Sequence, residues 1–162
     1  MQIGVLKETV QNDARIAISP DSTKKLIKLG YEVVVEKDAG QGANFSNEDF
    51  EKSGASVQTR DTIYGSDILV KIHAPTQDEL AQIKAGTTVI AMFWPAQNQE
   101  MLEALAQKNL SAISMDAIPR ISRAQKMDVL SSMSNISGYK AVIEASNVFG
   151  RFLGGQITAA GK

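Results

Sequence analysis

The chain has 162 residues, 43% of them hydrophobic, with a formal net charge of −1 and no cysteine. That is enough for one domain with a sizeable core plus an appendage. It provides neither the charge excess of a nucleic-acid or anionic-lipid binder nor the material for a disulfide framework. No apolar run approaches the roughly 18–20 residues of a membrane span. Charges at 7, 8, 13, 15, 21, 24, 25 and 28 are foreign to a secretory signal. A soluble cytoplasmic chain is the expectation.

Residues 1–6 form an apolar run suited to a buried strand. Ser19-Pro20 reads as N-cap and first helical position, with Leu26, Ile27 and Leu29 facing a core and Gly30 as the stop. Residues 31–36 are a β-branched strand. Ser46 with Asp49 opens a helix that ends at Gly54, and residues 67–72 return to strand. Thr76 with Glu79 repeats the capping-box spacing, in a helix expected to close at Gly86. A strand over 87–94, a helix over 98–108 and a strand over 110–115 complete the alternation. Strands alternating with helices imply a parallel sheet covered on both faces. The expected fold class is therefore α/β, doubly wound, with five strands in flavodoxin-like order 2-1-3-4-5. An N-terminal domain over 1–123 is followed by a proline-free helical run and linker over 124–162. Its apolar positions (Met127, Leu130, Val142, Ile143, Phe149, Phe152) exceed what a small sheet can bury. That run reads as a connector, and as the surface of a two-fold homodimer.

The most informative stretch begins at Pro119, which ends the extended segment before it. Ser122 with Gln125 has capping-box spacing, so the long helix is expected to start there. Helical spacing then places Gln125, Asp128, Ser131 or Ser132, and Asn135 on one face, behind Arg120 and Arg123. Short hydrogen-bonding side chains of this kind offer both donors and acceptors to a planar amide. The plainer alternative is a capped helix start with a wet polar face.

Pro-Arg-Ile-Ser-Arg-Ala-Gln-Lys-Met-Asp-Val-Leu-Ser-Ser at 119–132 resembles the signature of the NAD-binding alpha subunit of proton-translocating NAD(P) transhydrogenases. Arg-Ile-Ala-Ile-Ser-Pro (15–20), Asp-Ile-Leu-Val-Lys-Ile (67–72), Asn-Ile-Ser-Gly-Tyr-Lys-Ala (135–141) and Gly-Gln-Ile-Thr-Ala-Ala-Gly (155–161) also fit, and are shared with the related alanine dehydrogenases. The resemblance implies an NAD(H) cofactor oriented through its carboxamide by Arg120, Gln125, Asp128 and Ser131, with Gln125 and Asp128 at the reacting ring. It further implies NADP(H) on a partner component, membrane-embedded partners that translocate protons, and a place at the cytoplasmic face of the membrane. In this family the dinucleotide fingerprint follows the Thr-Ala-Ala-Gly segment, so these residues resemble the first part of a longer protein. In alanine dehydrogenases, positions similar to Arg15 and Lys71 hold a keto acid, and a catalytic histidine stands where this chain has Trp94. Tryptophan cannot shuttle a proton at neutral pH, so Arg15, Lys71 and Trp94 read as a vestigial pocket. Alternatively, the two cations are simply surface residues at strand ends.

Other candidates carry less. Gly40-Gln-Gly42 lacks a third glycine and a following helix, so it reads as a turn rather than a phosphate loop. His73 alone, without Cys or paired carboxylates at ligand spacing, does not make a metal site. The Lys-Lys-Leu-Ile-Lys run at 24–28 is the solvated face of the first helix. No nucleophile–base constellation supports a hydrolase. A receiver-type regulatory module would need acids clustered at strand ends, whereas the first strand ends Leu6-Lys7-Glu8 and the third Lys71-Ile-His. A non-catalytic interaction domain and an alanine dehydrogenase-like oxidoreductase stand as the alternatives.

Overall fold

Six parallel strands form one sheet in the order β3-β2-β1-β4-β5-β6 in the computed structural model. The structure describes residues 1–151 together with 154, 155, 157 and 159. The strands are β1 (Gln2–Val5), β2 (Glu32–Glu36), β3 (Ser56–Gln58), β4 (Ile68–His73), β5 (Thr88–Met92) and β6 (Ser111–Ser114). The helices are α1 (Pro20–Lys28), α2 (Asn47–Lys52), α3 (Arg60–Ile63), α4 (Gln77–Gln82), α5 (Gln99–Gln107) and α6 (Val129–Val148). The expected doubly wound order holds for five strands. The correction is a sixth: the three-residue β3 adds itself outside β2, which converts the order to that of a dinucleotide-fold sheet. The chain divides into two compact units, residues 1–118 and 119–162. The expected helical residues 152 and 153, and the segment at 158–161, include positions outside the described residues.

Local chemistry explains the helix starts. Ser19 Oγ accepts from the Ser22 amide, with Pro20 at the first helical position. Ser46–Asp49 and Thr76–Glu79 both form complete capping boxes. Each satisfies two otherwise unpaired amides. Helix α4 ends earlier than expected, at Gln82, because Ile83 turns extended and drops into the core at 2% exposure. Asn98 stands at the α5 N-cap but makes no cap bond; its amide donates instead to the carbonyls of Phe93 and Trp94.

Burial follows the strand period of two. Val5, Val33, Val35 and Phe50 pack with Leu26 and Ile27 on the face carrying α1 and α2. Leu69, Val89, Ala91 and Phe93 pack with Ile63, Leu80 and Leu105 on the face carrying α3, α4 and α5. Gly4 permits the closest approach. A Cβ there would lie 2.6 Å from Ser66 Oγ and 2.8 Å from an Ile63 methyl, so the turn before β4 can press onto the first strand. This packing fixes the strand ends from which the polar side chains project.

Candidate functional site

Downstream of the sheet, residues 119–131 wrap a small depression. After Pro119 the backbone does not enter an α-helix at Ser122. It makes a 3-10 segment, Ser122–Met127, with no side-chain cap, so the capping box expected of Ser122 and Gln125 is absent. The α-helix begins at Val129, and its N-cap is Asp128. Asp128 Oδ1 accepts from the Ser131 amide at 2.9 Å and Oδ2 from the Ser131 hydroxyl at 2.6 Å. A six-residue 3-10 segment ahead of a carboxylate-capped helix is why the residues converge: the tighter winding presents Gln125 beside the cap instead of along a continuous helical face.

Arg120, Ile121, Ser122, Gln125, Asp128 and Ser131 line this depression, whose volume is about 440 Å³. All four residues expected at a cofactor site on the basis of resemblance are among them. Ser122 is the addition. Its hydroxyl was read as a cap and is instead one of the pocket walls; the signal available was its position two residues after Arg120. Among the described residues, neither the Ser122 hydroxyl nor the Gln125 side-chain amide has a hydrogen-bond partner. The two bonds from Ser131, chiefly the one from its hydroxyl, hold the Asp128 carboxyl below the usual carboxylate range, and the nearby Arg120 charge adds to them. Asp128 is therefore an acceptor at neutral pH. The pocket offers one fixed carboxylate, one amide able to donate and accept, one hydroxyl and one guanidinium.

A second polar cluster lies at the carboxyl ends of β1, β2 and β4, where the strand order reverses. Lys71 is not a surface cation. Its side chain is 1% exposed and its Nζ donates to both Glu79 oxygens at 2.7 Å. Arg60 joins this pair, donating to Glu79 Oε1 at 3.2 Å, to Glu36 Oε1 at 2.8 Å and to the Lys7 carbonyl. Two cations and two carboxylates thus neutralise one another. Their pairing was not legible in the sequence, although Glu79 at a cap position just after β4 was.

The residue that accompanies Arg15 is His73, with 3.5 Å between Arg15 Nη2 and His73 Nε2. Asp13 lies between them, 2.6 Å from Arg15 and 2.7 Å from His73. Hydrogen bonding from Arg15, followed by that from His73, depresses the Asp13 carboxyl strongly. Glu8 accepts from the amides of Ile72 and His73. Trp94 follows β5 in a left-handed conformation (φ 50°), 45% exposed, with its amide on Asp116. Arg15 and Lys71 are thus engaged by separate carboxylates, while Trp94 is tied through its backbone amide. Among the described residues no three His, Cys, Asp or Glu side chains are grouped as metal ligands. Gly40–Gly42 falls in a 3-10 turn over Gln41–Ala43.

Residues 4–137 match the family described as alanine dehydrogenase/PNT, N-terminal domain. The chain belongs to this family. It is 49% identical over 162 residues to the NAD(P) transhydrogenase subunit alpha of Haemophilus influenzae, covering all of this chain and 32% of that one. A crystal structure of transhydrogenase from Sinorhizobium meliloti superposes with a TM-score of 0.93 at 40% identity, covering 99% of this chain and 48% of that chain. Alanine dehydrogenase 1 of Staphylococcus aureus is more distant, at 32% identity over 143 residues, 88% of this chain and 38% of its own length. The chain therefore spans between about a third and a half of these relatives. Within the family it is similar first to transhydrogenase alpha subunits and second to alanine dehydrogenases. Among the described residues, no helix is long and apolar enough to cross a membrane.

Proposed function

We propose that these residues form the N-terminal part of the NAD(H)-binding component of a proton-translocating NAD(P) transhydrogenase, and that the 119–131 pocket orients its nicotinamide. The observation that carries this reading is the pairing state of the pocket. Asp128 is fixed as an ionised acceptor by Ser131, while Gln125 and Ser122 keep their hydrogen-bonding capacity for something else. That set fits a carboxamide, which needs an acceptor for its NH₂ and a donor for its oxygen. Gln125 and Asp128 would hold the carboxamide, Arg120 would close one side, and Ser131 would keep the carboxylate in place.

A bound nicotinamide would supply the hydride, so no protein base would be required. What these side chains contribute is angular alignment of the ring and exclusion of water. NADP(H) would be held by a partner component and proton movement carried by membrane-embedded partners. This part would lie at the cytoplasmic face of the membrane, within a homodimer. Residues 124–162 would connect to a dinucleotide-binding domain that supplies the phosphate site. The keto-acid alternative is weakened by Lys71, whose ammonium is consumed by Glu79, and by Trp94 at the place of the catalytic histidine.

In the full-length protein, Gln125→Ala is expected to lower the hydride-transfer rate by one to a few orders of magnitude while NADH affinity changes much less. Single-turnover transfer and NADH titration on the same preparation separate the two. Unchanged turnover would reduce Gln125 to a surface residue of a 3-10 turn.

A further inference from the structure

Five non-glycine residues among those described have a positive φ: Asn12, Asp38, Asn44, Asn109 and Trp94. Four are asparagine or aspartate, whose short polar side chains tolerate the left-handed region. Trp94 is the exception, a bulky residue at φ 50°. Its turn is pinned from both sides. Asp116 accepts from the Phe93 amide at 2.8 Å and from the Trp94 amide at 3.0 Å. The Trp94 carbonyl accepts from the Gln97 and Asn98 amides, and the Asn98 side chain donates to the Phe93 carbonyl at 2.8 Å. Phe93 itself is buried in the core.

A conformation this unfavourable persists only where its surroundings over-determine it, and the indole it presents is left 45% exposed. A lone exposed hydrophobic residue means little. One held half-exposed on a turn fixed by a carboxylate and an amide points to a contact. Among the described residues, no other ring pairs with the indole and its N–H has no hydrogen-bond partner. The residues after it, Pro95, Ala96, Gln97 and Asn98, add no charge.

A nucleotide would bring phosphates, whereas the cations at neighbouring strand ends, Lys71 and Arg15, are already engaged by Glu79 and Asp13. An aromatic, uncharged turn has instead the make-up of the centre of a protein–protein contact. Its fixed backbone also lowers the ordering cost of docking. Trp94 stands just beyond the carboxyl end of β5, on the edge where doubly wound sheets meet their ligands. Direct hydride transfer needs the reacting atoms about 3–3.5 Å apart. A component that carries the second nicotinamide therefore has to seat itself at that open edge.

We propose that Trp94 is a central contact through which this domain docks the component that holds NADP(H), with Asp116 and Asn98 as the residues that present it. The partner surface it fits is an uncharged apolar hollow with one acceptor for the indole N–H. The inference rests on the transhydrogenase reading of the chain.

The test incorporates 5-fluorotryptophan into the full-length protein and assigns the Trp94 fluorine resonance by its absence from Trp94→Phe. That resonance is expected to shift when the NADP(H)-holding component is added, and to stay in place with NADH alone. In a titration of that component, Trp94→Ala should weaken its affinity at least about thirtyfold and Trp94→Phe much less, with NADH affinity near wild type. A shift caused by NADH alone would assign the indole to the nucleotide and overturn the proposal. So would an unmoved resonance in a complex that forms and transfers hydride, a result that would spare the transhydrogenase reading. Wild-type protein that neither binds NADH nor transfers hydride would overturn both.

Discussion

Two polar regions of this molecule use similar residue types to opposite ends. At the strand ends, Lys71, Glu79, Arg60 and Glu36 satisfy one another inside the domain. In the 119–131 pocket, Arg120, Ser122 and Gln125 leave hydrogen-bonding capacity facing solvent beside a fixed carboxylate. Ligand binding in open α/β sheets favours the strand-order reversal. Here that crevice is filled by the domain's own ion pairs, and the exposed valences lie downstream. Saturation, not location, separates the structural cluster from the candidate site.

The sharpest way to break this contrast is Glu79→Ala. It strands the Lys71 ammonium, removes one Arg60 partner and opens the α4 capping box. Leaving one member of a buried pair uncompensated costs about 3–5 kcal/mol. Urea unfolding should show that loss, and much of it should return in Lys71→Met combined with Glu79→Leu, which removes both charges. A loss confined to activity, with stability intact, would mean that the cluster serves a ligand.

The pocket should respond the other way. Asp128→Ala removes both the α6 cap and the proposed carboxamide acceptor. The cap alone accounts for about 1 kcal/mol of stability. Hydride transfer in the full-length enzyme should fall at least about tenfold beyond any loss of NADH affinity, the signature of a positioning contact. Ser132→Ala, which removes only a hydroxyl bond to the Asp128 carbonyl, is the matched control and should leave transfer near wild type.

How much of this could be read from the sequence depends on the range of the interaction. Ser46–Asp49 and Thr76–Glu79 were legible because a capping box is complete within four residues. Ser122 and Gln125 show the same spacing, yet the backbone there winds as a 3-10 turn and neither half of the box forms. Strand β3 and helix α3 escaped because three and four residues carry no periodicity; β3 exists through its pairing with β2. The pairing of Lys71 escaped for a related reason. Its partners Glu79 and Arg60 come from helices that only the folded sheet brings to the end of β4. Helical spacing placed Gln125, Asp128 and Ser131 on one face and the resemblance added Arg120, whereas in the structure the four line one depression through a 3-10 segment followed by a cap.

A smaller effect tests the outer edge of the closed region. The Asp13 carboxyl is depressed in the folded state by Arg15 and His73. A depressed carboxylate stabilises fully above its unfolded value of about 3.9, and the contribution is lost as pH falls below that towards the folded value. Asp13→Asn should therefore destabilise at neutral pH and converge with wild type in acid below about pH 4. Because the Arg15 side chain is 42% exposed, solvent screening should keep the effect under about 1 kcal/mol. Denaturant midpoints of the two proteins across the acid range measure it. A difference that grew in acid would reverse the sign of the argument.

The smallest expected effect is none, from Trp94→His. Alanine dehydrogenases are relatives, and a histidine placed at the end of β5 tests whether that position alone decides between the two chemistries. The fold should accept the change, because position 94 has φ 50° and histidine tolerates the left-handed region at least as well as tryptophan. A null result would then not reflect misfolding. A keto acid also needs cations placed to receive its carboxylate and carbonyl. Lys71 Nζ is locked between the Glu79 oxygens, and Arg15 is bound to Asp13. One imidazole cannot reposition either, since catalytic contacts must be held to about half an ångström by their supporting residues. The full-length Trp94→His protein, given NADH, pyruvate and ammonia, is expected to form no alanine above the wild-type background. Steady alanine formation would show that the closed cluster opens for substrate, and the contrast between the two polar regions would not stand.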